Sequence, residues 1–483
     1  MPKDPKSPEV TSDAYDAMKN AWNKIQTVLD GTDDMRSAGR IFLPQHFGES
    51  NDSYKERLER NTLLNLTKLT LTSWVGRPFS KPMTFTDVPP AIEALFTNID
   101  LVGNDVQVYG RDWFSDGLSK SYSHTLIDFP RTDAEGVRTL RDDRAENIRP
   151  HWIHIRPEDL FFADAEMVNG REVLREIRIM EEVTERDGFA EVFQPQIRRI
   201  TMFEDEGGRV RLYRLADPRQ KDKREWILHD EYPFSLPVIP LVTFYSNREA
   251  FMLGQPPLED LADLNIAHWQ STSDQRAVLT VARFPILSVS GGTVDGKEIV
   301  VGPRRLLYSP DPQARFSYVE HTGKAIEAGQ KDLESLETNM AEYGAEFLKR
   351  RPGSITATQR TLDTAEATSP LQDTAIRFGH SMTQALNYTA MWMKLEEGGT
   401  AEVYTDFSFS GDQTDLNFLR DLRKMREISR VALLTESQRR GVLADGYDME
   451  ADELLLEEEA LKMMPADVDF ESDDDEDVDV SES

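Results

Sequence analysis

From Leu258 to Phe284 the chain runs on without a Gly or a Pro, LEDLADLNIAHWQSTSDQRAVLTVARF, and Pro285 then stops it. Nothing in the run breaks a helix, and at 1.5 Å per residue it predicts a single helix roughly 40 Å long. Two more long helices follow. In the first, Leu333, Leu336, Met340, Tyr343 and Phe347 recur at alternating spacings of three and four, which places them on one face. Asp332, Glu334, Glu337, Glu342 and Glu346 are expected on the other face, either as an exposed stripe or as the lining of a polar channel. The second opens on Ser369-Pro370-Leu371-Gln372, an N-cap serine with proline at the first helical position and glutamine at the third. Leu371, Ala375, Phe378, Met382, Ala385, Thr389 and Met393 line one side of it to about Leu395.

Short strand-like runs, FPILSVSGG, KEIVVGP, RRLLYSP and RFSYVE, separate the first two helices and predict a small β-rich insert over 285–322. A basic segment with a Pro-Gly break, RRPGSITATQR (350–360), separates the second from the third. Upstream, TLIDFP (125–130), HWIHI (151–155), EVLREIRIM (172–180) and RVRLYRL (209–215) read as strands in a mixed α/β region reaching about residue 250. Helices are expected over 13–29 and 53–75, the latter with Ser53 and Glu56 as a capping box. Downstream, 402–410 is strand-like, 415–434 helical, Thr435 and Gln438 form a second capping box, and 448–464 is an acidic helix. The tail 465–483 is too charged and too poor in apolar residues to fold by itself.

A chain of 483 residues is too long for one compact core, so several packed regions are expected. Its formal net charge of −31 argues against a protein that coats nucleic acid by neutralising phosphates. The absence of cysteine removes disulfides, thiolate zinc sites and cysteine nucleophiles, and fits a reducing compartment. Neither a signal peptide nor a membrane-spanning run is read, so a soluble chain is expected.

Chemical motifs are weak. GGTVDGKE (291–298) matches G-x-x-x-x-G-K, but Glu298 stands where a magnesium-binding Ser or Thr is needed, and a strand follows where a helix must open. A hairpin turn is the better reading. His151 and His154 point to opposite faces of a strand, with no cysteine or acidic pair to complete a metal site. Asp142, Asp143, Glu204, Asp205 and Glu206 lie in loop-like stretches and are more easily solvated faces than a two-metal centre. No nucleophile–base pairing is visible, so no catalytic, cofactor or metal residue is assigned.

Several strings in order nevertheless resemble one family. They are IFLPQHFGESNDSYKERLERNTLLNLTKLTLTSWVGRPFSKP (41–82), NIDLVGNDVQVYGRDWFSDGLSKSYSHTLIDFPR (98–131), RPHWIHIRPEDLF (149–161), GQPPLEDLADLNIAHWQSTSDQRAVLTVARFPILSVSG (254–291) and ALLTESQRRGVLADGYDMEADELLLEEE (432–459). Together they are similar to the portal proteins of tailed bacteriophages, in particular a portal-like family long known as a domain of unknown function. The resemblance spans roughly 36–460. It departs at 121–125, where Ser-Tyr-Ser-His-Thr replaces a glycine-rich run, and it does not reach the acidic tail.

The resemblance implies an α+β, helix-rich fold: a mixed α/β wing (1–256), stem helices (257–284 and 323–349), a small β-rich clip (285–322), a tunnel loop (350–369), a helix behind it (370–397), a wing return with C-terminal helices (398–464) and a disordered tail. It implies a homo-oligomeric ring, usually of twelve subunits, at one capsid vertex of the virion, assembled in the host cytoplasm. Double-stranded DNA would pass through without sequence specificity and without a membrane. Terminase large subunit, a head–tail adaptor, and major capsid and scaffolding proteins are the implied partners. Arg350, Arg351, Thr356, Thr358, Gln359 and Arg360 become tunnel-loop candidates, the acidic set 332–346 channel-lining candidates, and Lys297, Glu298, Arg304 and Arg305 docking candidates on the clip. No enzymatic role and no cofactor are implied. A metal-dependent nuclease carried by a phage and a helical scaffold without a channel are the competing classes.

Overall fold

The computed structural model describes residues 7–130, 147–203, 207–216, 225–283, 286–290, 315–319, 324–346, 369–405, 420–425, 427–439, 443 and 447–463. The chain divides into two compact units, 1–405 and 406–483. The first is α+β.

Its helical front consists of α1 (Asp13–Asp30), α2 (Thr32–Ala38), α3 (Asn51–Arg60) and α4 (Leu66–Gly76). Ser12 caps α1 by accepting from the Tyr15 amide, and Met18, Trp22, Ile25 and Val28 form its buried stripe. The single helix expected over 53–75 is two helices. Ser50, not Ser53, caps α3, and Asn65 caps α4 by accepting from the Lys68 amide. The break has a tertiary cause. Asn61 is buried, its Nδ2 donates to the Trp269 carbonyl at 2.8 Å, and its own carbonyl accepts from the Arg36 guanidinium, also at 2.8 Å.

After the short strand β1 (Thr84–Thr86) comes α5 (Val106–Lys120), then β2 (Tyr122–Asp128) and β3 (His151–Ile155). A five-stranded antiparallel meander follows: β4 (Leu160–Val168), β5 (Arg171–Asp187), β6 (Ala190–Phe203), β7 (Gly207–Leu215) and β8 (Trp226–Phe234). Strand β9 (Leu241–Tyr245) then joins β2 and β3 in a separate sheet of order β3-β2-β9, antiparallel throughout. The core between the two sheets and α1 holds Trp22, Tyr122, Leu126, Ile155, Ile177, Ile200 and Val210.

The three long helices are α6 (Glu259–Arg283), α7 (Lys324–Glu346) and α8 (Pro370–Met393). Between the first two, β10 (Ile286–Ser290) pairs antiparallel with β11 (Arg315–Val319). Phe378 of α8 packs against Trp113 and Phe114 of α5, ring centroids 5.2 Å away in each case, and against Phe244 of β9 at 4.9 Å. Gly117 lets α5 lie that close to the sheet, because a Cβ there would sit 2.4 Å from the Phe244 ring. The strand expected from 402 is instead β12 (Thr400–Glu402), paired with β1. The pairing lies within the first unit, which extends to Thr405.

In the second unit residues 420–424 form a helical turn, followed by α9 (Arg430–Arg439) and α10 (Met449–Met463). The capping box expected at Thr435 and Gln438 is not a helix start, since both lie inside α9. Ser429 caps that helix through the Ala432 amide, and Asp448 caps α10 through the Glu450 and Ala451 amides.

Candidate functional site

Helices α6 and α7 form an antiparallel hairpin whose register can be read from its polar contacts. The Tyr343 hydroxyl donates to the Pro257 carbonyl (3.1 Å), His268 Nε2 lies 3.3 Å from Glu337 Oε1, Ser271 Oγ donates to Asp332 Oδ2 (2.6 Å), and Gln275 Nε2 donates to the Ile326 carbonyl (2.9 Å). His268, Ser271 and Gln275 recur at spacings of three and four, so one face of α6 presents a polar row to α7. Close approach is built in by glycine: a Cβ at Gly329 would fall 2.1 Å from Gln275 Oε1, and one at Gly344 2.9 Å from Thr70 Oγ1. Met340 is fully buried, and Trp74 Nε1 donates to the Gly344 carbonyl at 2.9 Å, tying α7 to α4.

The hairpin is held to the helical front along its length. Lys24 of α1 reaches Glu259 at 3.1 Å and Asp263 at 2.9 Å. Asn265 Oδ1 accepts from the Thr67 amide and hydroxyl. Arg57 donates to Ser273 Oγ at 3.1 Å and lies 3.6 Å from Asp274. Its hydrogen bonds to Glu49 hold that carboxyl below the ordinary range.

The structure divides the acidic set of α7. Asp332 and Glu337 lie beside the α6 seam, bonded to Ser271 and His268, rather than opposite the apolar stripe. Glu334 is exposed and accepts from Gln330 Nε2, Glu342 is exposed, and Glu346 falls in the last turn of the helix. Leu333, Leu336, Met340 and Tyr343 are turned inward as expected, whereas Phe347 lies outside the described residues. The formal charge of the hairpin is −6, from ten carboxylates on the two helices against Arg276, Arg283, Lys324 and Lys331.

Residues 347–368, between Glu346 and Ser369, lie outside the described residues, and with them Arg350, Arg351, Thr356, Thr358, Gln359 and Arg360; so do Lys297, Glu298, Arg304 and Arg305. At the base of the hairpin the ends of α6, α7 and α8 enclose a polar cleft of about 430 Å³, lined among others by Asn247, Asp260, Tyr343, Asp373 and Arg377. The capping box that opens α8 is formed: Ser369 Oγ accepts from the Gln372 amide at 3.2 Å, and Gln372 Oε1 accepts from the Ser369 amide at 2.8 Å. His268, Ser271 and Gln275 were not singled out from the sequence. Their helical spacing was legible, but nothing in it says which neighbour the row meets.

His154 faces Asp116 (3.3 Å), while His151 lies on the other side of β3, near Asp128 and Arg198; burial lowers the pKa of both. Among the described residues no group of three or more His, Asp or Glu side chains could hold a metal ion. Asp142, Asp143, Glu204, Asp205 and Glu206 lie outside them. No described helix is long and apolar enough to cross a membrane.

The stretch 257–393, from the start of α6 to the end of α8, matches a protein family described as Domain of unknown function (DUF4055). The family match therefore falls on the three long helices and the strands between the first two. Among solved structures, the chain is similar to one in the virion of a native gene transfer agent particle, at 10% identity over 87% of this chain and 97% of that one, with a TM-score of 0.36. It is also similar to one in the neck of an empty particle of that kind, computed with C6 symmetry, at 10% identity over 87% and 99%, with a TM-score of 0.39. A third lies in the neck of a native particle, computed with C12 symmetry, at 10% identity over 81% and 89%, with a TM-score of 0.37. At such identities and scores a likeness decides neither fold nor function. No curated protein matches the sequence.

Proposed function

We propose that this chain is a portal-type subunit: copies of it close into a ring at one capsid vertex, and the ring is a passive conduit for DNA packaging and ejection. The observation that carries the reading is the acidic antiparallel hairpin α6–α7, with the antiparallel pair β10–β11 between its two helices in the chain and α8 meeting its base at the polar cleft. A wall that grips phosphates would resist sliding, because each cationic contact adds a counterion-release term to binding. A wall of negative charge repels the strand within a Debye length of about 8 Å and keeps it centred.

On this reading the segment 350–360 projects into the channel, where Arg350, Arg351 and Arg360 touch the backbone transiently and Thr356, Thr358 and Gln359 add polar lining. Exposed Glu334 and Glu342 face the passage. Lys297, Glu298, Arg304 and Arg305 meet the terminase large subunit during packaging and a head–tail adaptor afterwards, while the 1–256 region meets capsid and scaffolding proteins. Energy for transport comes from the terminase motor, and the chain needs neither a cofactor nor an active site of its own. Twelve copies of 55.1 kDa make a ring of about 0.66 MDa. Electron microscopy and mass measurement of the purified protein are expected to show a closed ring of roughly that mass with an open axis. A monodisperse monomer at every concentration and salt would overturn the proposal.

A further inference from the structure

The five-stranded meander has two sides, and one of them belongs to the core described above. Ile177, Ile200 and Val210 pair across β5, β6 and β7 and point into that core. Side chains alternate along a strand, so Met180, Ile197, Tyr213 and Leu228, which pair in one row across β5 to β8, lie on the other side. Arg178 stands two residues along from Met180 and Trp226 two along from Leu228, on that same side. The middle of this outer row is dry: Ile197 is 0% exposed without belonging to the core cluster. An antiparallel sheet keeps an apolar side chain dry on its outer side only where another segment covers it.

The segment that reaches this side is 7–12. The Ser12 amide donates to the Phe161 carbonyl of β4 at 3.1 Å, Arg178 Nη1 of β5 donates to the Val10 carbonyl at 3.2 Å, and Trp226 Nε1 of β8 donates to Glu9 Oε1. Its contacts thus run from one edge strand of the meander to the other. The Val10 amide donates to the Ser7 carbonyl at 3.3 Å, which with Pro8 in second position makes 7–10 a β-turn.

The cover is light. None of residues 7–12 is fully buried, and the bonds of Val10 and Glu9 to the sheet are hydrogen bonds that a second peptide can replace. The hinge is in place as well. Ser12 caps α1 and is bonded to β4, so residues 7–11 can lift while the helix keeps its start. At the β8 end the row is already open, with Leu228 49% exposed.

We infer that the outer side of the meander is a peptide-docking face, closed in this structure by the chain's own residues 7–11. Its partner is a segment of another protein with the same chemistry: a proline turn that gives one carboxylate to Trp226 Nε1 and one backbone carbonyl to Arg178. The segment now seated there identifies those requirements, because it meets them. The inference does not depend on the ring reading and asks only that the meander be folded. Glu9→Ala with Val10→Gly alters nothing but the cover and is expected to melt like the wild type. In fluorescence anisotropy it is expected to bind a labelled SPEVTS peptide about ten-fold more tightly than the wild type, whose own segment competes for the face. Adding Trp226→Phe, which removes the Nε1 donor, is expected to weaken that binding to the level of a peptide with alanine in place of the glutamate. In the wild type, saturating peptide is expected to speed hydrogen exchange at the Val10 amide. Equal affinity of wild type and opened variant, binding indifferent to Trp226→Phe, or unchanged exchange at Val10 would overturn the docking face. So would an opened variant that fails to fold, since residues 7–11 would then be part of the fold and not its releasable cover.

Discussion

His124 lies on the central strand β2 with its ring wholly buried and Nδ1 2.9 Å from the Thr243 hydroxyl. Burial, reinforced by nearby His154, lowers its pKa to about 3 from an ordinary 6.5. In the folded protein it stays neutral at pH values where the unfolded chain takes up a proton. Stability at this site is therefore complete above pH 6.5 and falls as the pH drops from there toward 3, since the unfolded state binds more protons in that window. At about 1.4 kcal/mol per pH unit, acidification from 6.5 to 5 costs about 2 kcal/mol. His151 and His154 are shifted the same way and add to the trend. Urea unfolding of His124→Gln at pH 7 and pH 5 is expected to show a loss on acidification smaller than the wild type's by that amount. Parallel losses would mean that His124 is protonated in the folded state.

Among the elements, α7 and α8 show two ways in which a sequence commits a helix. In α8 the commitment is local. Ser369 and Gln372 satisfy each other's backbone amides, and Ser369→Ala is expected to lower unfolding stability by about 1 kcal/mol. In α7 it is tertiary, because the helix is stabilised by the face it buries. Met340→Ala, at a fully buried site, is expected to cost about 3 kcal/mol. Glu334→Ala, at an exposed one, should stay within about 0.5 kcal/mol. Denaturant titrations of the three variants check that order, and an equal effect of Met340→Ala and Glu334→Ala would contradict the packing described for the hairpin. The contrast also explains which caps were legible. The box at Ser369 was read correctly because nothing overrides it. The Ser53 and Thr435 patterns were equally good locally, yet Ser50 and Ser429 cap those helices instead.

For the whole molecule, the channel reading predicts different consequences for charge in different places. Arg360→Glu is expected to reduce the DNA packaged per particle severalfold while rings assemble at wild-type yield. Quantifying encapsidated DNA beside particle counts measures this, and normal DNA content would remove the segment 350–360 from the mechanism. The charge balance itself was legible from composition. How it is distributed was not, since Asp332 and Glu337 look no different in sequence from Glu334 and Glu342, and only the antiparallel register of α6 and α7 turns the first two toward a neighbour.

The sequence alone determined the mixture of helix and strand, the three long helices, the stripes that α7 and α8 bury, strands within 125–130, 151–155, 172–180 and 209–215, and the capping box at Ser369. These depend on periodicity and on contacts within a few residues, which a single chain displays directly. Only the tertiary structure decided that the helix expected over 53–75 breaks at Asn61 and that β12 closes on β1. Each of these depends on groups far apart in the chain: Asn61 with Trp269 across 208 positions, Thr86 with Thr400 across a sheet. Long-range pairing leaves no local period to read. Its energy comes from backbone and side-chain groups that find partners only once the chain has folded.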